Sequence, residues 1–124
     1  MMELIPNLPD HVVGVKATGR ITADDYEQVL IPALEEKLRD HKKINLLYWI
    51  DEGFESFAPG AMWDDAKAGL GHLGAWGRVA CVADVEWIRK AVGAFGFFWR
   101  GHIRIFTNGE LKKARAWVCE PIEE

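Results

Sequence analysis

The chain has 124 residues, of which 49% are hydrophobic and 27% are charged, and its formal net charge is −4. This composition is typical of one globular domain with its own core and excludes a disordered chain. The acidic balance argues against a dedicated nucleic-acid-binding protein, because such proteins usually carry a basic excess on one face.

Two strands are predicted at the start of the chain. Residues 2–8 alternate in polarity and end at Pro9 and Asp10, which form a turn signal. Residues 12–18 alternate again, as expected for a strand with one buried face. Because the connection is short, we expect the two strands to pair as an antiparallel hairpin.

A helix and a central strand follow. Thr22 is predicted to open the helix, with Asp24 and Asp25 in the first turn, where carboxylates favour the positive end of the helix dipole. Pro32 falls inside the helical pattern and is expected to kink the helix or to remove one of its hydrogen bonds. Residues 44–50 are almost continuously apolar, which is typical of a central strand covered on both faces.

The second half of the chain predicts three helices that alternate with two strands. In chain order we expect a loop over residues 51–58, a helix from Pro59, a strand over residues 78–83, a helix capped by Asp84, an outer strand over residues 103–106 and a helix capped by Asn108. The element order is therefore ββαβαβαβα. Helices that alternate with apolar strands predict right-handed crossovers, and so an α/β fold with a mostly parallel sheet and an antiparallel N-terminal strand.

Six short patterns, spread over nearly the whole chain, match one known family. They are Gly19-x-Ile21-Thr22-x-x-Asp25-Tyr26, the strand at residues 44–50 leading to Asp51, Trp63-Asp64-Asp65-x-Lys67-x-Gly69, Arg78-Val79-Ala80-Cys81-Val82, Asp84-x-x-Trp87 and Ile105-Phe106-x-x-x-Glu110-x-x-x-Ala114-x-x-Trp117. Together they resemble the SpoIIAA-like family, a branch of the STAS (sulfate transporter and anti-sigma factor antagonist) fold. The resemblance implies a single SpoIIAA-like domain over residues 1–124.

The resemblance also bears on function. In the anti-sigma factor antagonists, the strand ends in an Asp followed by a serine that is phosphorylated at the start of the next helix. Asp51 matches that Asp, but Glu52 and Gly53 stand where the serine should be, and Ser56, the only serine in the chain, lies several residues later. Ser56 is the remaining candidate for phosphorylation. The SpoIIAA-like branch is also similar to lipid-binding CRAL-TRIO domains, which implies a hydrophobic ligand or membrane contact.

Other motifs that could indicate catalysis or a cofactor are weak. Residues 69–74 match GxGxxG by letter, but they are predicted to close a helix, whereas a dinucleotide site needs the motif after a strand. No two histidines are spaced i, i+4, and Asp64 and Asp65 point in different directions on a helix. Ser56 lacks a GxSxG elbow. We therefore predict no enzyme, no metal and no cofactor.

The cysteines and the N-terminus bear on localisation. Cys81 and Cys119 form no CxxC pair, and Cys81 lies in an apolar run where a small buried side chain is expected. No signal peptide is recognisable, and no stretch reaches the roughly 18 apolar residues that a membrane span requires. We expect a cytoplasmic protein with reduced thiols, possible peripheral membrane contact and no nucleic-acid partner.

The aromatic residues form the most informative pattern for function. Phe54 and Phe57 follow the central strand, and the run from Trp87 to Trp99 follows the next parallel strand, so both groups emerge at the same edge of the sheet. Core packing explains four residues of that run, namely Trp87, Ile88, Ala91 and Phe95. Phe97, Phe98 and Trp99 are consecutive, so they cannot all lie on the core-facing side of one helix. Gly93 and Gly96 each weaken the helix around them by up to roughly 1 kcal/mol relative to Ala, which favours a segment that is able to shift.

This pattern predicts a binding site on an aromatic rim. The predicted ligand- or membrane-binding residues are Phe54, Phe57, Trp63, Trp87, Phe97, Phe98, Trp99 and Arg100. The basic residues expected to hold a carboxylate or phosphate head are Arg89, Lys90, Arg100 and Arg104. We predict a non-enzymatic binding domain for a hydrophobic small molecule or lipid. The alternative is a regulatory protein-interaction module that uses the same patch for a homodimer or another partner.

Overall fold

The computed structural model describes residues 1–60, 76–98 and 103–121, with only the backbone of residues 95–98. Within these ranges, apolar and alternating segments form one five-stranded sheet with the strands in sequential order. The strands are β1 (Met2–Leu4), β2 (Val12–Ile21), β3 (Ile44–Phe57), β4 (Trp76–Val82) and β5 (Ile103–Phe106). The first pair is antiparallel and the others are parallel. The predicted α/β fold with a mostly parallel sheet is therefore confirmed.

The described helices connect and follow the strands. They are α1 (Ala23–Asp25), a π-helical turn (Tyr26–Leu30), α2 (Ile31–Leu38), α3 (Glu86–Phe98), a 3-10 turn (Asn108–Glu110) and α4 (Leu111–Cys119). Residues 59–60 are helical, as predicted for a helix starting at Pro59. The rest of that predicted helix, which includes the GxGxxG motif of residues 69–74, lies outside the described residues.

The π-helical turn lies directly before Pro32. The Ile31 N–H donates to the carbonyl of Tyr26, five residues earlier, and Pro32 occupies the first turn of α2. A proline has no N–H to continue the α-helical ladder, so a wider turn and a restarted helix accommodate it at this point. The predicted irregularity at Pro32 is therefore seen as a π-turn.

The two faces of the sheet are covered differently. On one face, β2, β3 and β4 pack against the helical segment of residues 23–38 and against α3. Right-handed crossovers between neighbouring parallel strands place their helices on the same face, which agrees with this packing. On the opposite face, Ala114 and Val118 of α4 are fully buried against Leu47, Ala80 and Val82.

Two capping boxes begin the helices beside the sheet. Thr22 accepts a hydrogen bond from the Asp25 N–H, and the Asp25 carboxylate accepts one from the Thr22 N–H. Thr107 and Glu110 form the same reciprocal pair before α4. The cap predicted at Asn108 is therefore wrong by one residue, because Thr107 supplies the hydroxyl that satisfies the first turn.

The predicted loop over residues 51–58 is wrong. Strand β3 continues to Phe57, because β2 extends to Ile21 and pairs with it through Gly19–Phe54, Arg20–Ser56 and Ile21–Phe57. Pairing with β2 satisfies the backbone groups of a segment whose Asp, Glu and Gly composition is typical of a turn. This extension carries two aromatic residues to the carboxyl edge of the sheet.

Candidate functional site

Three aromatic side chains meet at the carboxyl edge of the sheet, and we call them the aromatic cluster: Phe54, Phe57 and Trp87. The ring centroids of Phe54 and Phe57 are 4.8 Å apart with the planes tilted by 54°. Those of Phe57 and Trp87 are 6.1 Å apart with the planes at 80°, an edge-to-face contact. These are favourable separations for aromatic pairs. The sequence analysis placed all three residues on one rim, and the structure brings them together.

A β-bulge places Phe54 and Phe57 on the same face of β3. In a regular strand, residues three apart point to opposite faces. Here Gly19 pairs with Phe54 and the next residue of β2, Arg20, pairs with Ser56, so one step along β2 corresponds to two steps along β3. Glu55 is the extra residue, and it restores Phe54 and Phe57 to the face that packs under the helices. The sequence analysis missed this bulge.

Trp87 projects from the outer side of the first turn of α3. Its exposure is 50%, whereas the neighbouring Ile88 is only 4% exposed. The core-facing side of α3 carries Ile88 and Val92, while Ala91 is exposed. The predicted core packing is therefore confirmed for Ile88 and wrong for Trp87 and Ala91. Successive helical residues are about 100° apart, so a buried stripe centred between Ile88 and Val92 leaves Trp87 about 120° and Ala91 about 80° from its centre.

The other predicted rim residues are described less fully. Phe97 and Phe98 lie in the last turn of α3, where the structure gives the backbone. Trp63, Trp99 and Arg100 lie outside the described residues, as does the side chain of Phe95.

Three of the predicted head-group cations have other contacts. Arg89 donates to the carbonyls of Ala83 (2.8 Å) and Phe106 (3.0 Å). Lys90 forms an ion pair with Glu86 at 3.1 Å. The Arg104 guanidinium lies 5.4 Å from the Phe106 ring and 5.2 Å from the Trp117 ring.

These contacts hold the Arg89 and Arg104 side chains away from the aromatic cluster. Phe106 and Trp117 pack on the sheet face covered by α4, and the cluster packs on the opposite face. Arg104 therefore lies across the sheet from the cluster, and Arg89 holds two backbone carbonyls together.

The described charges nearest the aromatic cluster in the chain are mainly negative. Glu52 and Glu55 are exposed residues of β3 that flank Phe54. Glu86 precedes Trp87, and its side chain is 81% exposed. The predicted site did not include these carboxylates, although Asp51, Glu52 and Glu55 are evident in the sequence.

Asp84 belongs to a polar network at the same edge. Its carboxylate accepts hydrogen bonds from the Asn108 N–H at 2.9 Å and from the Asn108 side-chain amide at 3.1 Å. The same amide donates to the Ile50 carbonyl, and its oxygen accepts from the Trp49 indole at 2.7 Å. Asp84 therefore anchors the turn before α4, and its predicted role as the cap of α3 is wrong.

Ser56 is exposed in β3 and stands opposite Arg20 of β2. A phosphate on Ser56 would have one cation as its register neighbour and Glu55 beside it in the chain. Phosphorylation of Ser56 stays a prediction.

The described residues also form a cleft of about 380 Å³ at the other end of the sheet. The start of β2 and the end of α2 line it, with apolar Val12, Val13 and Ala33 beside polar Asp10 and Asp40. The aromatic cluster lies at the carboxyl ends of the strands and contributes nothing to this cleft.

Within residues 1–60, 76–98 and 103–121, no group of three or more His, Cys, Asp or Glu side chains is placed to hold a metal ion. No helix in this part of the chain is both long and apolar enough to cross a membrane.

Comparisons with known proteins agree with the architecture. The SpoIIAA-like family model matches residues 12–119. No curated protein matches the chain. A crystal structure of an uncharacterized protein with a SpoIIAA-like fold from Shewanella loihica PV-4 is similar to it, with 30% sequence identity and a TM-score of 0.73. The match covers 96% of this chain and 93% of that chain.

Proposed function

Because the chain belongs to the SpoIIAA-like family, we propose that it is a non-enzymatic interaction module that binds a partner protein through the aromatic cluster. SpoIIAA-like domains generally mediate protein interactions and are typically non-enzymatic. The proposal adds a location to that general role, namely the edge formed by the end of β3 and the start of α3.

The observation that carries the proposal is the half-exposed indole of Trp87 held edge-on against Phe57. Tryptophan is enriched among the residues that dominate binding energy at protein interfaces, because it offers a large apolar surface and one N–H donor. Its edge-to-face contact with Phe57 restricts the ring before binding, so less side-chain freedom is lost when a partner covers it.

A hydrophobic small molecule or lipid is the second candidate. A half-exposed tryptophan is also typical of the interface between water and a membrane. In this version, the ligand enters an apolar cleft on the predicted aromatic rim. The contacts of Arg89 and Arg104 favour the protein partner, because these two cations are engaged with backbone carbonyls and with the Phe106 and Trp117 rings.

The proposal is tested by affinity capture with three tagged proteins: the wild type, Trp87→Ala and Leu4→Ala. Leu4 is the matched control because it is an apolar residue with 54% exposure on the edge strand β1. The captured proteins are identified and quantified by mass spectrometry, and lipids are extracted from the same samples.

We expect at least one protein to be captured by the wild type and by Leu4→Ala, and to fall by about tenfold or more with Trp87→Ala. A lipid with this same dependence on Trp87 would favour the second candidate, and excess copies of this chain would indicate a homodimer. Equal capture of every protein and lipid by all three samples would contradict the proposal.

A further inference from the structure

We propose that the segment bound by the aromatic cluster is a lysine- or arginine-rich amphipathic stretch of a partner protein. This inference rests on the proposed function and names the chemistry of the partner. It combines the apolar surface of the cluster with the sign of the charges around it.

The charges that flank the cluster are predominantly carboxylates. Among described residues, Glu52 and Glu55 flank Phe54, and neither has a cation within ion-pair distance. Glu86 precedes Trp87 and forms an ion pair with Lys90, one helical turn later. Arg20, the register neighbour of Ser56, and Lys16, whose ammonium lies 4.6 Å from the Trp49 ring centroid, are described cations beside β3.

The neighbouring parts of the sequence leave this balance unchanged. Residues 61–75 and 99–102 contain two carboxylates, Asp64 and Asp65, and two cations, Lys67 and Arg100. Their formal charges cancel. The segments that carry the cluster therefore remain net acidic when these stretches of the sequence are included.

Charge complementarity selects the partner. Carboxylates around an apolar contact attract ammonium and guanidinium groups and repel acidic surfaces, and these effects act mainly on association rate and specificity. A membrane surface rich in anionic lipids would meet like charge at this edge. A peptide with an apolar face and basic flanks would place its apolar residues on Trp87 and its cations beside Glu52 and Glu55.

The test uses three synthetic amphipathic peptides with the same apolar residues and with Lys, Gln or Glu at every polar position. Their binding to the full chain is measured by fluorescence anisotropy at two salt concentrations, together with sedimentation on equimolar phosphatidylcholine–phosphatidylglycerol vesicles. The proteins are the wild type, Trp87→Ala, the pair Glu52→Gln/Glu55→Gln, and the control pair Glu35→Gln/Glu36→Gln. The control carries the same change in net charge on exposed residues of α2.

We expect the Lys peptide to bind about tenfold more tightly than the Gln peptide, and the Glu peptide to bind most weakly. The preference should shrink at high salt, because exposed charges are screened within about 10 Å at ~0.1 M. It should also shrink with Glu52→Gln/Glu55→Gln and persist in the control pair, and Trp87→Ala should weaken all three peptides.

Three outcomes would overturn the inference. If the peptides bind equally but depend on Trp87, the partner's charge is wrong and the proposed function stands. Vesicle binding that depends on Trp87, with no preference for the Lys peptide, would favour the membrane instead. If binding of every probe is the same for Trp87→Ala as for the wild type, both the inference and the proposed function fail.

Discussion

The indole of Trp87 meets the ring of Phe57 edge to face, with centroids 6.1 Å apart and planes at 80°. One ring belongs to the end of a strand and the other to the first turn of a helix that follows the next strand. Phe57 also packs against the main core, whereas half of Trp87 remains in contact with water. The pair therefore links the core to the surface at the edge where we propose that a partner binds.

The replacement Trp87→Ala should weaken binding while the protein stays folded. Half of the side chain is buried, so the replacement removes that apolar contact together with the aromatic pair, and we expect the free energy of unfolding to fall by about 1–3 kcal/mol. Urea denaturation measures this, with Leu4→Ala as the control at a similarly exposed site. A loss above about 3 kcal/mol would identify Trp87 as a core residue and contradict its role as a surface for a partner.

Asn108 should be a stabilising residue of the carboxyl edge. Its side chain joins Asp84, Trp49 and the Ile50 carbonyl, so Asn108→Ala takes this partner from two partly buried groups, the Trp49 indole N–H and the Ile50 carbonyl. We expect the free energy of unfolding to fall by about 1–3 kcal/mol.

The matched control for this prediction is Gln28→Ala, which removes an exposed side-chain amide from the π-helical turn. Differential scanning calorimetry should show a lower Tm for Asn108→Ala than for Gln28→Ala. Equal Tm values would mean that the network contributes nothing to stability.

The capping box at the start of α1 should make stability depend on pH. Burial raises the pKa of Asp25, but hydrogen bonds from the Thr22 backbone and hydroxyl outweigh it and hold that pKa below its usual value of 3.8. A carboxyl with a lowered pKa in the folded state stabilises the protein fully above its unfolded pKa. This contribution is lost as the pH falls through the lower folded pKa.

Asp25→Asn should therefore lower the free energy of unfolding at pH 7 by about 0.5–1 kcal/mol, because the charged acceptor of the Thr22 hydrogen bonds is lost. The difference from the wild type should vanish in strong acid. Urea titrations at several pH values measure both effects, with Asp24→Asn as the control for the loss of one carboxylate. A difference that stays constant below pH ~3 would contradict the linkage.

Much of the fold was predictable because it depends on local patterns. The alternation of residues 12–18 predicts β2, whose Val13, Val15 and Ala17 are buried in the core, and the apolar run of residues 44–50 predicts the central strand. These patterns report which side chains leave water, and that is a property of each segment alone.

The details of the aromatic edge depend on tertiary contacts instead. The continuation of β3 requires β2 to extend beside it, and the bulge at Glu55 arises from the register of two distant segments. The exposure of Trp87 follows from the rotation of α3 that buries Ile88. A single sequence carries the aromatic residues that form the edge but does not determine register or helix rotation.

The most direct measurement of the central claim is photo-crosslinking from position 87. A benzophenone amino acid is placed at Trp87 or, as a control, at Leu4, and the adducts formed in cells of the source organism are identified by mass spectrometry. Both positions are exposed and apolar, so general hydrophobic contact affects them equally. The account predicts a discrete adduct with a partner protein at position 87, crosslinked through a basic segment, and no such adduct at position 4. The same adducts at both positions, or none at position 87, would contradict it.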